Sequence, residues 1–134
     1  MEEAQVLQFY QELIRWSNGR EEILAIGLVG SYARGNARPD SDVDLIILLA
    51  DPQPYLQDTD WASAFGTVVK QQVEDYGIVT SLRVWYSDGL EVEFGLTRPD
   101  WAALPLDKGT AQVIAGGMRI LFEREALLSR VLRK

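Results

Sequence analysis

Apolar and polar positions along this chain fall into patterns that separate helices from strands. Val6, Phe9, Tyr10, Leu13, Ile14 and Trp16 recur near the i, i+3, i+4, i+7 spacing of an amphipathic helix. They predict a helix over residues 3–17, closed by Asn18-Gly19. Residues 23–29 form a short continuous apolar run and residues 43–50 a second, which Asp51-Pro52-Gln53-Pro54 stops; both read as buried strands. Trp61, Ala64, Phe65, Val68, Val69 and Val73 return to helical spacing and predict a helix over 61–76, with Asp58, Thr59 or Asp60 as its cap and Gly77 as its end. Residues 52–60 then form a loop or edge segment whose Tyr55 and Trp61 either line a site or pack.

Asp88-Gly89 joins two alternating runs, 80–87 and 90–97, and predicts an antiparallel hairpin. A two-residue turn there places Val84 opposite Glu93. Leu90, Val92 and Phe94 take one face of the second strand, while Glu91 and Glu93 share the other. Residues 99–109 are irregular, 110–115 suggest a short helix, 118–122 a last strand after Gly116-Gly117, and 123–133 a closing helix. The order α-β-β-α-β-β-α-β-α fits an α+β, or mixed α/β, layer architecture with a central mixed sheet of about five strands.

Length adds that one core suffices. A chain of 134 residues buries roughly two thirds of its unfolded surface, so a single domain over 1–134 is expected. No apolar run reaches the ~18 residues of a membrane span. Met1-Glu2-Glu3-Ala4 lacks the charge and apolar core of a signal peptide, and there is no cysteine. A cytoplasmic location is the expectation.

Charge narrows the chemistry. With 13 basic and 20 acidic residues the net charge is -7, which disfavours long-range attraction to nucleic acid or an anionic membrane and suits a basic protein partner. The absence of histidine excludes a Ser-His-Asp apparatus and any histidine-bound zinc. Carboxylates and a hard metal ion remain.

Those tools concentrate between the first two strands. Asp42 and Asp44 stand two apart at a strand start, so both side chains leave one face, roughly 7 Å apart at the backbone, and can share an ion. Hard oxygen ligands suit Mg²⁺ or Mn²⁺. Alone, a D-x-D pair also fits solvated acids. Upstream, however, Gly30-Ser31 follows a buried strand at a turn, where glycine admits a phosphate close to the backbone and a hydroxyl can donate to it. A P-loop is excluded, because Asn36-Ala37 follows Gly35 where Lys-Ser/Thr is required. There is no GxGxxG fingerprint. In haloacid dehalogenase phosphatases the apolar strand precedes the acids rather than following them. The D-x-D glycosyltransferases do not require the Gly-Ser turn, and their catalytic domains are usually longer.

Gly30-Ser31, ten intervening residues, then Asp42-Val43-Asp44, resembles the G-S-x10-D-x-D signature of the DNA polymerase β-like nucleotidyltransferase superfamily, particularly its minimal nucleotidyltransferases. The string Ser41-Asp42-Val43-Asp44-Leu45 makes the likeness specific. The resemblance implies a third carboxylate on a strand beside the D-x-D strand, after a hairpin. Glu93, between apolar Val92 and Phe94, is the first choice and Glu91 the fallback, although the family more often has aspartate there.

It further implies two Mg²⁺ ions, with Mn²⁺ an alternative, held by Asp42, Asp44 and Glu93. A nucleoside triphosphate, ATP first, binds through Gly30 and Ser31 and donates its nucleoside monophosphate to a hydroxyl. Arg34 and Arg38 lie in the phosphate loop and either offset its charge or are ordinary exposed arginines. Tyr32 reads as packing, and Lys70 and Arg83 receive no role. Larger relatives, the aminoglycoside nucleotidyltransferases and tRNA-modifying enzymes, grip the acceptor with a further domain. A minimal domain is expected to borrow that grip from a partner or a second copy, such as a HEPN-type protein whose tyrosine is adenylylated in a toxin and antitoxin pair. The alternative is an inactive nucleotide-binding or protein-interaction module of the same fold. A set of mutually repelling acids argues against it.

Overall fold

The computed structural model describes residues 3–132. The first helix, α1 (Glu3–Asn18), buries Val6, Phe9 and Leu13 against the sheet and ends with the Ser17 hydroxyl donating to Leu13 O at 2.8 Å. The two apolar runs form β1 (Ile23–Val29) and β2 (Val43–Leu49), with the one-and-a-half-turn helix α2 (Gly30–Arg34) between them. After β2 come α3 (Gln53–Gln57) and a 3₁₀ turn, Asp60–Phe65. Strands β3 (Val68–Asp75), β4 (Thr80–Tyr86) and β5 (Glu91–Thr97) follow, then a 3₁₀ turn (Pro99–Ala102), α4 (Lys108–Ala115), β6 (Arg119–Glu123) and α5 (Ser129–Leu132). The architecture is mixed α/β with six strands in the order β3-β4-β5-β2-β1-β6. Among the described residues only β2 and β5 pair in parallel.

Each sheet face has its own core. On one, α1 and the Asp60–Phe65 turn cover Leu45, Ile47, Leu82, Val84 and Phe94. Phe65 and Trp61 lie 5.9 and 4.9 Å from the Phe94 ring, so an aromatic group grips β5 from behind. On the other face Ile46 and Leu48 meet Trp101, Met118, Leu128 and Val131. Strand alternation puts Asp44 and Glu93 on this second face, one residue from fully buried neighbours. That burial fixes where the two acids point.

Four sequence expectations need correction. Residues 61–76 are not one helix but the 3₁₀ turn and then β3. The apolar spacing there coincides with helical spacing, but Gly66 breaks the element and β-branched Thr67, Val68 and Val69 favour the strand that β4 pairs along its length. That is why the sheet has six strands rather than about five. Residues 52–60 include α3, in which Tyr55 packs, its carbonyl accepting from Trp61 Nε1 at 2.9 Å.

The hairpin holds, with its register moved by one: Val84 faces Val92, and Arg83 faces Glu93. A three-residue loop, Ser87-Asp88-Gly89, replaces the two-residue turn; Gly89 N–H donates to Tyr86 O at 3.0 Å and Gly89 adopts φ +94. At the C-terminus Glu123 belongs to β6 and the helix is Ser129–Leu132, while Arg133 lies outside the described residues. Among the described residues no helix is long and apolar enough to cross a membrane.

The strongest helix cap is Asp107, whose carboxylate accepts from Gly109 N and Thr110 N at the start of α4. Asp107→Ala is expected to cost about 1 kcal/mol. Urea unfolding monitored by circular dichroism checks this.

Candidate active site

The site begins where β1 ends. Gly30 takes φ +75 as it opens α2, and Arg119 Nε, from β6, donates to Ala33 O at 3.1 Å and ties the short helix down. The chain returns through a closed turn: Ser41 N–H donates to Arg38 O at 3.0 Å and Arg38 N–H to Ser41 Oγ at 2.8 Å. This turn delivers Asp42 and then β2. Because β2 and β5 run parallel with Asp44 beside Glu93, the third acid lands next to the second. One carboxylate oxygen from each of Asp42, Asp44 and Glu93 lies within 4.8 Å of the others.

Electrostatics make this a place for a cation. Asp44 Oδ1 is buried and has no hydrogen-bond partner, a costly state for a carboxylate that a bound ion relieves. Burial first, then the charges of Asp42 and Glu93, push the Asp44 pKa up to about 8, against the opposing pull of Arg83. Burial, aided by Glu74, likewise raises Glu93 above the ordinary carboxylate range. Three converging oxygen donors, one of them orphaned, fit a hard divalent ion such as Mg²⁺ or Mn²⁺.

A cavity of about 510 Å³ opens beside the triad, with Gly30, Arg34, Asp44 and Glu93 among its lining residues. Tyr76, Ile78, Val79 and Trp101 supply apolar surface, and Asp107, Thr110 and Gln112 supply polar groups. Gly30 and Arg34 thus share a cavity with Asp44 and Glu93, while Ser31 is not among its lining residues. Arg38 lines a separate cavity with Tyr10 and Tyr32, and Tyr32 packs against the core. Glu91 approaches Arg83 instead of joining the triad.

Sequence reasoning left out four residues at this site. Arg83 bonds Asp42, Glu74, Glu91 and Glu93. The Tyr76 hydroxyl lies 3.1 Å from both Glu74 Oε1 and Glu93 Oε1. Thr110 is 2% exposed and its hydroxyl is unpartnered. Reading 61–76 as a helix hid Glu74 and Tyr76, and a hairpin register off by one hid Arg83. A glycine as the third loop residue was the signal that would have corrected the register.

A mixed sheet carrying a Gly-Ser turn and three carboxylates on neighbouring strands is the fold of the nucleotidyltransferases. Similarity to a solved aminoglycoside 6-adenyltransferase from Bacillus subtilis bears on that fold: the TM-score is 0.58 at 15% identity, over 76% of this chain. This chain spans 37% of that protein's length. Weaker likenesses are a toxin-antitoxin with AMP-PNP (TM-score 0.45, 14% identity, 99% of this chain and 82% of that one) and terminal uridylyl transferase 4 from Trypanosoma brucei with bound GTP (0.46, 14%, 86% and 39%). No curated protein matches the sequence significantly. The profile of the nucleotidyltransferase domain matches residues 11–93, more than half of the chain, and the chain belongs to that family.

Proposed function

We propose that this domain transfers a nucleoside monophosphate, AMP from ATP first, to a hydroxyl acceptor with the help of two divalent ions. The observation that carries the proposal is the convergence of Asp42, Asp44 and Glu93 beside a cavity of about 510 Å³, with Asp44 Oδ1 unpartnered. Asp42, Asp44 and Glu93 hold the ions, which when bound neutralise the triphosphate and stabilise the attacking and leaving oxygens of an in-line displacement. The acceptor oxygen forms a bond to the α-phosphorus while the bond to the bridging oxygen breaks, and pyrophosphate leaves. Glu93, beside Asp44 on the neighbouring strand, takes the hydroxyl proton. Gly30, Ser31 and Arg34 receive the β and γ phosphates.

The acceptor belongs to the same proposal. Strand β3, largely exposed and followed by Tyr76, which reaches Glu93, is where another chain would present its hydroxyl, and resemblance to minimal nucleotidyltransferases points to a tyrosine on a HEPN-type partner. A second copy of this chain is the other source of an acceptor grip.

Incubation with Mg²⁺ and each α-labelled triphosphate, with and without cell extract, is expected to give a labelled product, most strongly with ATP. Absence of label with every nucleotide and extract leaves the inactive binding module as the reading.

A further inference from the structure

Arg83 sits in the middle of β4 between Leu82 and Val84, both fully buried, so its side chain has one direction available. It points at acids from three other segments of the chain. Nη1 lies 2.7 Å from Asp42 Oδ2 and 2.8 Å from Glu91 Oε2, Nη2 lies 3.1 Å from Glu93 Oε1, and Nε lies 3.0 Å from Glu74 Oε1. The side chain is 19% exposed, and its four partners are between 17% and 28% exposed. One guanidinium thus answers four carboxylates.

That ratio is unusual for a pair that serves stability alone, because a shielded acid normally finds its own counter-charge. Counting Asp44, five carboxylates gather around one guanidinium, a surplus of acids that a divalent cation would offset. Arg83 holds Asp42 and Glu93 through one oxygen each and makes no contact with Asp44, so it gathers the triad without filling it. Its planar fork reaches the four acids at once, which the single ammonium of lysine does not.

We infer that Arg83 is a positioning residue, an internal cation that keeps the carboxylates of the metal site assembled before any ion arrives. Glu74 and Glu91 are the outer struts that aim its guanidinium. An assembled site spares an incoming ion the work of collecting repelling side chains. The inference rests on the reading of Asp42, Asp44 and Glu93 as a divalent-ion site, and it adds a residue that acts through those carboxylates.

Thermal unfolding of the full chain tests it, in EDTA and in saturating Mn²⁺ with no nucleotide present. Arg83→Met is expected to melt on the order of 10 °C below wild type in EDTA, since four acids lose their shared partner. A site that Arg83 no longer assembles binds Mn²⁺ less tightly, so the variant is expected to show a clearly smaller metal-induced shift than wild type. Arg83→Lys should fall between the two. Arg83→Met combined with Glu74→Gln and Glu91→Gln removes two of the four acids along with the cation and should regain part of that stability in EDTA.

Equal melting of wild type and Arg83→Met in EDTA overturns the inference, as do equal Mn²⁺ shifts, which would leave the metal site itself standing. Mn²⁺ stabilising neither protein overturns the metal reading and this inference with it. If Arg83→Met does not fold, the triple variant decides: failure to recover in EDTA sinks the counter-ion role.

Discussion

Asp44→Asn is expected to lower nucleotidyl transfer by about 10²–10³-fold, the scale seen when a group stabilising transition-state charge is removed, while raising the melting temperature of the metal-free protein. The two effects have one cause. Asp44 carries the orphaned oxygen, and burial with the charges of Asp42 and Glu93 lifts its pKa from 3.8 to about 8. A folded-state pKa above the unfolded one means that the folded, metal-free protein keeps a proton the unfolded chain releases. The associated stability is fully present below pH 3.8 and is lost as pH rises to about 8. Metal-free wild type should therefore weaken between pH 5 and pH 8, roughly the window in which the two states differ in bound protons. Asp44→Asn should flatten that slope. Product formation from labelled ATP and melting curves in EDTA at both pH values are the measurements. A fully active Asn variant would refute the metal-ligand role, and an unchanged slope would refute the electrostatic account.

Gly30→Ala is expected to damage the same centre from the backbone side. Gly30 has φ +75, a conformation that costs an L-residue roughly 1 kcal/mol or more. A Cβ at this position would also clash with Asp44 Oδ2, so the carboxylate must move. Stability should fall by about 1–3 kcal/mol, and transfer should fall with it, because Asp44 leaves the triad. Gly35→Ala is the control. Its φ is +77, yet a Cβ there has nothing within 4 Å, so strain appears without any displaced acid. Equilibrium unfolding and the transfer assay on both variants separate strain from site damage. Comparable activity in the two would show that Gly30 serves the turn alone.

Both predictions concern residues that were visible in the chain before any fold was known. Gly30, Ser31, Asp42 and Asp44 lie in one short stretch between two strongly apolar strands, and the local rules for turns and strand alternation suffice to gather them. Glu93 was visible too, because Val92 and Phe94 leave it only one face. Its place beside Asp44 came from the resemblance to a family, and the parallel pairing of β2 with β5 is the physical reason.

Residues 61–76 show where local reading fails. Their apolar spacing suits a helix, and only Gly66 and the β-branched run Thr67-Val68-Val69 speak against it locally. Yet most of β3 is exposed, with Val69 at 68% and Val73 at 56%, so its hydrophobic pattern does not record burial. Backbone pairing with β4 makes it a strand, and that partner lies beyond the segment itself. Glu74 and Tyr76 reach the acids only as a result.

By itself the sequence determined the two buried strands, the glycine turn and the paired aspartates, since each depends on residues within a few positions of one another. Tertiary structure alone decided the shared surroundings of those acids. The hairpin register put Arg83 opposite Glu93, the edge strand brought Glu74 alongside, and burial left Asp44 Oδ1 without a hydrogen bond. Register and burial depend on contacts between segments far apart in the chain, and a one-residue shift in register turns a side chain to the other face.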